Sequence, residues 1–107
     1  MAANLRELAL KVIEAVEKLT GEKLPRDILE IDVYERDIFI RFRWPRHFDS
    51  GEYVYHDIVI FRDGDEDDIT AVEVLDYDFV LREAQRPNPR PFEGLVRIWP
   101  PEDEDQR

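Results

Sequence analysis

His47, Asp49, His56 and Asp57 are the residues of this chain whose types and spacing could do chemistry. Imidazole and carboxylate are the ligand types left to a protein without cysteine, so a loop over 45–51 folding back would gather these four into an N/O metal site or an acid–base pair. His56, however, shares an alternating face with Val54, Ile58 and Ile60, the pattern of a core or interface histidine, and His47 sits in the loop itself. The run Asp63-Gly-Asp-Glu-Asp-Asp68 puts acids at positions 1, 3 and 5 of a calcium loop, but Asp68 stands where the invariant glycine belongs and Val74 where the bidentate glutamate belongs. The four glycines are isolated, and the single serine, Ser50, lies in no nucleophile motif. The expectation is a protein without catalytic residues, metal or cofactor, with the His/Asp quartet of a small metal-dependent enzyme as the alternative.

The acidity offers a different chemistry. Residues 63–78 hold eight acids and no Lys or Arg, and residues 100–107 hold four acids and one Arg, so these two stretches supply the whole formal charge of −11. A localised acidic surface of this kind can bind a basic protein, imitate a phosphate backbone, or keep a protein soluble. Asp63, Asp65, Glu66, Asp67, Asp68, Glu73, Asp76 and Asp78 are therefore the candidate partner-binding residues. The leading expectation is a non-enzymatic interaction module for a basic partner, antitoxin-like or regulatory. The alternative is a nucleic-acid-mimicking inhibitor from a mobile element. Arg41 and Arg43 beside Phe39 resemble a single-strand platform, but a net −11 opposes a polyanionic ligand.

The elements that must position these residues follow from periodicity. Leu5, Leu8, Ala9, Val12, Ile13, Val16 and Leu19 recur at helical spacing, predicting a helix over 4–20 with Asn4 as cap, Glu7 completing a capping box and Gly21 as terminator. Beyond Pro25 the period is two, predicting strands over 28–35, 37–44, 52–62, 69–77 and 95–99. The fold class is α+β, with the N-terminal helix packed on a four- to five-stranded antiparallel meander. One domain spans 1–99, and an acidic disordered tail follows over 100–107. The strand 52–62 is apolar on both faces, which makes it central and leaves Phe39, Tyr53, Tyr55 and Phe61 as a homodimer interface. Scarce uncharged polar residues and a 38% charged fraction predict a thermophilic source. No apolar run is long enough for a signal peptide or a membrane span, so a cytoplasmic, membrane-free location is expected.

The segment Asp32-Val-Tyr34-Glu-Arg-Asp37-Ile38-Phe39-Ile40-Arg41-Phe42, the acidic turn at Asp63-Gly64 and the stretch Ile69-Thr-Ala-Val72-Glu73-Val74-Leu75-Asp76 together resemble a small prokaryotic domain family of unknown function. The resemblance covers residues 32–79. It implies a compact β-meander and, because some members of that family are encoded beside toxin genes, an antitoxin-like role. Ala71 stands where the family usually has Gly, and Asp76-Tyr-Asp78 replaces its usual Asp-Ala-Ser.

Overall fold

A computed structural model describes residues 2–64 and 66–87, with side chains from Asn4 onward. Asp65, the expected strand 95–99 and the acidic tail lie outside the described residues. The order is α1 (Ala2–Thr20), β1 (Glu30–Tyr34), β2 (Asp37–Arg41), β3 (Asp49–Tyr55), β4 (Ile58–Asp63), β5 (Ile69–Val74) and α2 (Tyr77–Ala84). The protein is α+β: five antiparallel strands form one sheet in the order β1-β2-β5-β4-β3, with both helices on one side. Among the described residues, the hairpin β1-β2 and the meander β3-β4-β5 are joined only where β2 pairs with β5.

The helical period of α1 buries Ala9, Val12, Ile13 and Val16 completely. The helix begins at Ala2, so Asn4 lies inside it and the expected capping box does not form. Its C-terminus does follow the expectation: Gly21 has φ +79 and donates its N–H to the Glu17 carbonyl at 2.8 Å, a left-handed cap that suits glycine. Glu17 then fixes the chain leaving the helix. Its carboxylate accepts from the Leu24 N–H at 2.8 Å and from both Arg26 terminal nitrogens at 2.9 Å. These bonds, led by that of Arg26 and opposed by burial, bring the Glu17 pKa down to about 2.

Two strand expectations are corrected. The stretch 52–62 is not one strand but the hairpin β3-β4, turned at His56-Asp57, where Asp57 adopts φ +63. The start of β3 also takes in Asp49–Gly51, which sequence had placed in the loop. The expected strand 69–77 stops at Val74, because Asp76 caps a second helix by accepting the Phe79 N–H at 3.1 Å. The alternation of Val72 and Val74 ends where that cap begins.

The sheet has two unlike faces, set by register. Opposed residues of antiparallel strands share a face, so one row runs Val33, Ile38, Val74, Ile58, Tyr55 under the helices. A bulge at Val54 brings Tyr55 opposite Ile58, while Tyr53 stays opposite Val59. Tyr53 and Tyr55 thereby point to opposite faces, and Tyr55 is 3% exposed in the core.

Glu17→Gln is expected to lower stability by about 1–2 kcal/mol at neutral pH. Because the folded pKa lies below the ordinary value of 4.5, that contribution is present above pH 4.5 and lost as pH falls towards 2. Denaturant titrations of wild type and variant across that window should therefore converge at the acid end.

Candidate functional site

No described element covers the second face of the sheet. Its residues, read across the strands in order, form the rows Asp32-Phe39-Glu73-Val59-Tyr53 and Glu30-Arg41-Ala71-Phe61-Gly51. The apolar half lies over β2, β5, β4 and β3. The rings of Phe39 and Phe61 meet edge to face with centroids 5.7 Å apart, and Ala71 between them is fully buried. Gly51 opposite Phe61 leaves the ring its place, since a Cβ there would come within 2.7 Å of it. Tyr53 at 45% exposure and Trp44 at 60% border this cluster. The guanidinium of Arg41 lies 5.2 Å from the Phe39 ring centroid and 4.6 Å from that of Trp44, so it is a stacked, structural cation.

The other half of the face is acidic. Glu30 and Asp32 on β1, Asp37 on β2 and Glu73 on β5 share it. Burial, followed by a hydrogen bond to Asp37 and repulsion from it, pushes the Glu73 pKa up to about 7. Glu73 thus holds its proton towards Asp37 below neutrality and carries a charge above it. Arg41, the one base in these two rows, is already engaged with Asp49 at 2.9 Å.

The acids of the 63–68 turn face a different task. Asp63 has a fully buried side chain that accepts from the Arg46 N–H at 2.7 Å and from His47 Nδ1 at 2.9 Å. A carboxylate can only accept, so His47 is the donor. Asp49 accepts from Arg41 and, at 2.7 Å, from the Thr70 hydroxyl. Burial opposes its ionisation, but these two donors hold its carboxyl below the ordinary value. Glu66 pairs with Arg46 at 3.1 Å, and one Arg43 nitrogen lies 3.1 Å from Asp68, 3.7 Å from Glu66 and 3.8 Å from Asp63. Arg62 lies 4.0 Å from Asp67 and 3.0 Å from Glu22.

The structure therefore redistributes the expected site. Asp63 is buried and cannot meet a partner, Glu66 and Asp68 are matched by arginines of 43–46, and Asp67 lies near Arg62. Asp76 serves as a helix cap and lies 3.7 Å from Arg36, while Asp78 is exposed in the first turn of α2. Of the described members of the expected partner-binding set, only Glu73 lies on the open face. Glu30, Asp32 and Asp37, its companions there, were missed because they are interleaved with apolar strand residues and form no continuous run; their alternation across a hairpin was the available signal. Phe39, Tyr53 and Phe61 of the expected dimer face are together on the open side, and Tyr55 is removed from it by the Val54 bulge.

The His/Asp quartet is taken apart. His47 and Asp49 lie at one end of β3 and His56 and Asp57 at the other, about 20 Å away along a strand rising ~3.3 Å per residue. His56 packs edge to face against Tyr55 and Phe79 with centroids 5.5 and 6.4 Å away. Asp57, in its turn, is held above the ordinary carboxylate value by burial and by the neighbouring Asp76, partly offset by His56. No group of three His, Asp or Glu side chains among the described residues could hold a metal ion. Nor is any described helix long and apolar enough to cross a membrane. No protein-family model matches the chain, nor does any curated protein or solved structure.

Asp63→Asn should cost about 1–3 kcal/mol, as expected when the acceptor of buried hydrogen-bond donors is weakened, whereas Asp67→Asn should leave stability within about 0.5 kcal/mol; chemical denaturation of the two variants checks the contrast. Glu73 gives a pH signature of the opposite sign to Glu17. Its folded pKa of about 7 lies above the ordinary 4.5, so its contribution falls as pH rises through that interval. Glu73→Gln should accordingly raise stability at pH 8 by about 1–2 kcal/mol and flatten the profile between pH 5 and about 7.

Proposed function

We propose that the protein is a non-enzymatic interaction module whose open sheet face docks a basic protein partner. The observation that carries this reading is the division of that face into an acidic half, Glu30, Asp32, Asp37 and Glu73, and an apolar half, Phe39, Val59, Phe61 and Tyr53. A partner that sets Lys or Arg against the first and an apolar side chain against the second gains both charge attraction and area removed from water. An antitoxin-like role, implied by the resemblance of residues 32–79, is of this kind. Nucleic-acid mimicry finds less support, because Glu66, Asp67 and Asp68 of the turn, which would stand for phosphates, are matched by Arg46, Arg62 and Arg43.

The expected homodimer would use the apolar half of the same face, and solution mass separates it from the docking of a foreign chain. Two double variants test the reading against each other. Asp32→Lys with Tyr53→Ser changes the open face at two exposed positions, while Asp67→Lys with Asp68→Lys changes the turn by a larger charge. Capture from lysate of the native source, with captured proteins identified by mass spectrometry, should yield a basic protein with the wild type and the turn variant and lose it with the open-face variant. Equal capture by all three, or loss with the turn variant alone, would overturn the open face as the docking surface.

A further inference from the structure

Resting on that reading, we propose that the partner binds as an added strand on the β1 edge, presenting Lys or Arg at every second residue and apolar side chains between them. The sheet has two edges, and they are not equivalent. The outer strand β3 is broken in register by the Val54 bulge, a device that interferes with further pairing. The outer strand β1 runs in unbroken register with β2 from Glu30 to Tyr34, and four of its five residues are exposed. No described element lies alongside it in the sheet, so its outward N–H and C=O groups form a template for a strand.

The side chains of β1 specify the pattern such a strand must carry. Towards the open face the edge presents Glu30 and Asp32, so an incoming strand would set its bases there. Towards the helices it presents Ile31 and Val33, and Val33 remains 38% exposed at the end of a row that is otherwise core. An apolar residue of the incoming strand would extend that row and cover Val33. Leu29, exposed at 53% just before β1, lengthens the same apolar margin. A second copy of this chain fits the edge poorly: antiparallel pairing about the centre of β1 sets Asp32 against Asp32, and like charges directly opposite are destabilising.

The probe is a synthetic peptide of about nine residues alternating Lys with Val, fluorescently labelled, with a version N-methylated at alternate backbone amides. Anisotropy with the full chain should show binding in the ~10–100 µM range, weakened by about tenfold or more on N-methylation and lost with Glu30→Lys and Asp32→Lys together. Amide exchange should show new protection confined to Glu30–Tyr34. Equal binding of both peptides would overturn strand addition while leaving an acidic docking face intact, because the lysate test does not depend on the peptide backbone. Absence of binding, or a protein that alone sediments at twice 12.8 kDa with β1 amides already protected, would overturn the proposal as well.

Discussion

Two carboxylates at one end of the sheet, the partly exposed Asp49 and the fully buried Asp63, tie its halves together. Asp49 at the start of β3 accepts from Arg41 on β2 and Thr70 on β5, so one carboxylate spans three strands. Asp63 at the end of β4 accepts from Arg46 and His47 and so fastens the 42–48 connection that carries the chain between the two hairpin units. The buried charge of Asp63 must find partners or be expelled, and Arg43, Arg46 and His47 supply them. The ring of Phe48 lies against Gly64, whose N–H donates to the Phe48 carbonyl at 2.8 Å, completing the closure. Among the described residues β2 and β5 are the one strand pair that links the two units, and Asp49 reinforces it by bonding to Arg41 and Thr70.

From that arrangement the asymmetry of the two faces follows. One side gathers the branched apolar residues of β2, β4 and β5 against α1 and α2, and the strand-centre side chains Ile38, Ile40, Ile58, Val72 and Val74 are all at 1% exposure or less. The other side carries larger rings and acids that shield one another only in part. Phe39 and Phe61 close over Ala71, which explains why a small residue is required there. An alanine at that position leaves room for two rings to meet across the central strand, where a larger side chain would separate them.

The charge of the chain acquires a different meaning once folded. Acids that look like one continuous surface in sequence divide into a structural group around Asp63, a cap at Asp76 and an open-face group that includes Glu73. Exposed ion pairs such as Glu66 with Arg46 add little stability, but they offset part of the turn's negative charge, whereas the one base beside the acids of the β1–β2 side in the two open-face rows, Arg41, is already paired with Asp49. Glu73 adds to the negative charge of that side only above neutrality, so the electrostatic character of the face varies with pH through one partly buried carboxyl group beside Asp37.

Periodicity alone determined the helix and its buried face, the strands flanking Glu35-Arg36 and the strand beginning at Ile69, because burial of one face imposes a period of 3.6 or 2 on any chain that folds around it; the second helix, with its buried Val80 and Ala84, was not legible that way. It also located Gly21 as a helix terminator and separated an acidic stretch from a neutral remainder. Tertiary structure decided where the alternation is interrupted. A single extra residue at Val54 sends Tyr53 and Tyr55 to opposite faces, and a turn at His56-Asp57 converts one expected strand into two, because apolar residues on both sides of a turn read like one continuous strand. It also decided which acids are available: Asp63 and Asp67 are the same residue type in the same turn, yet only the first lies where the 42–48 connection brings donors to it. Glu30, Asp32, Asp37 and Glu73 become neighbours solely through strand register, which is fixed by contacts between distant segments and is absent from any local stretch of sequence.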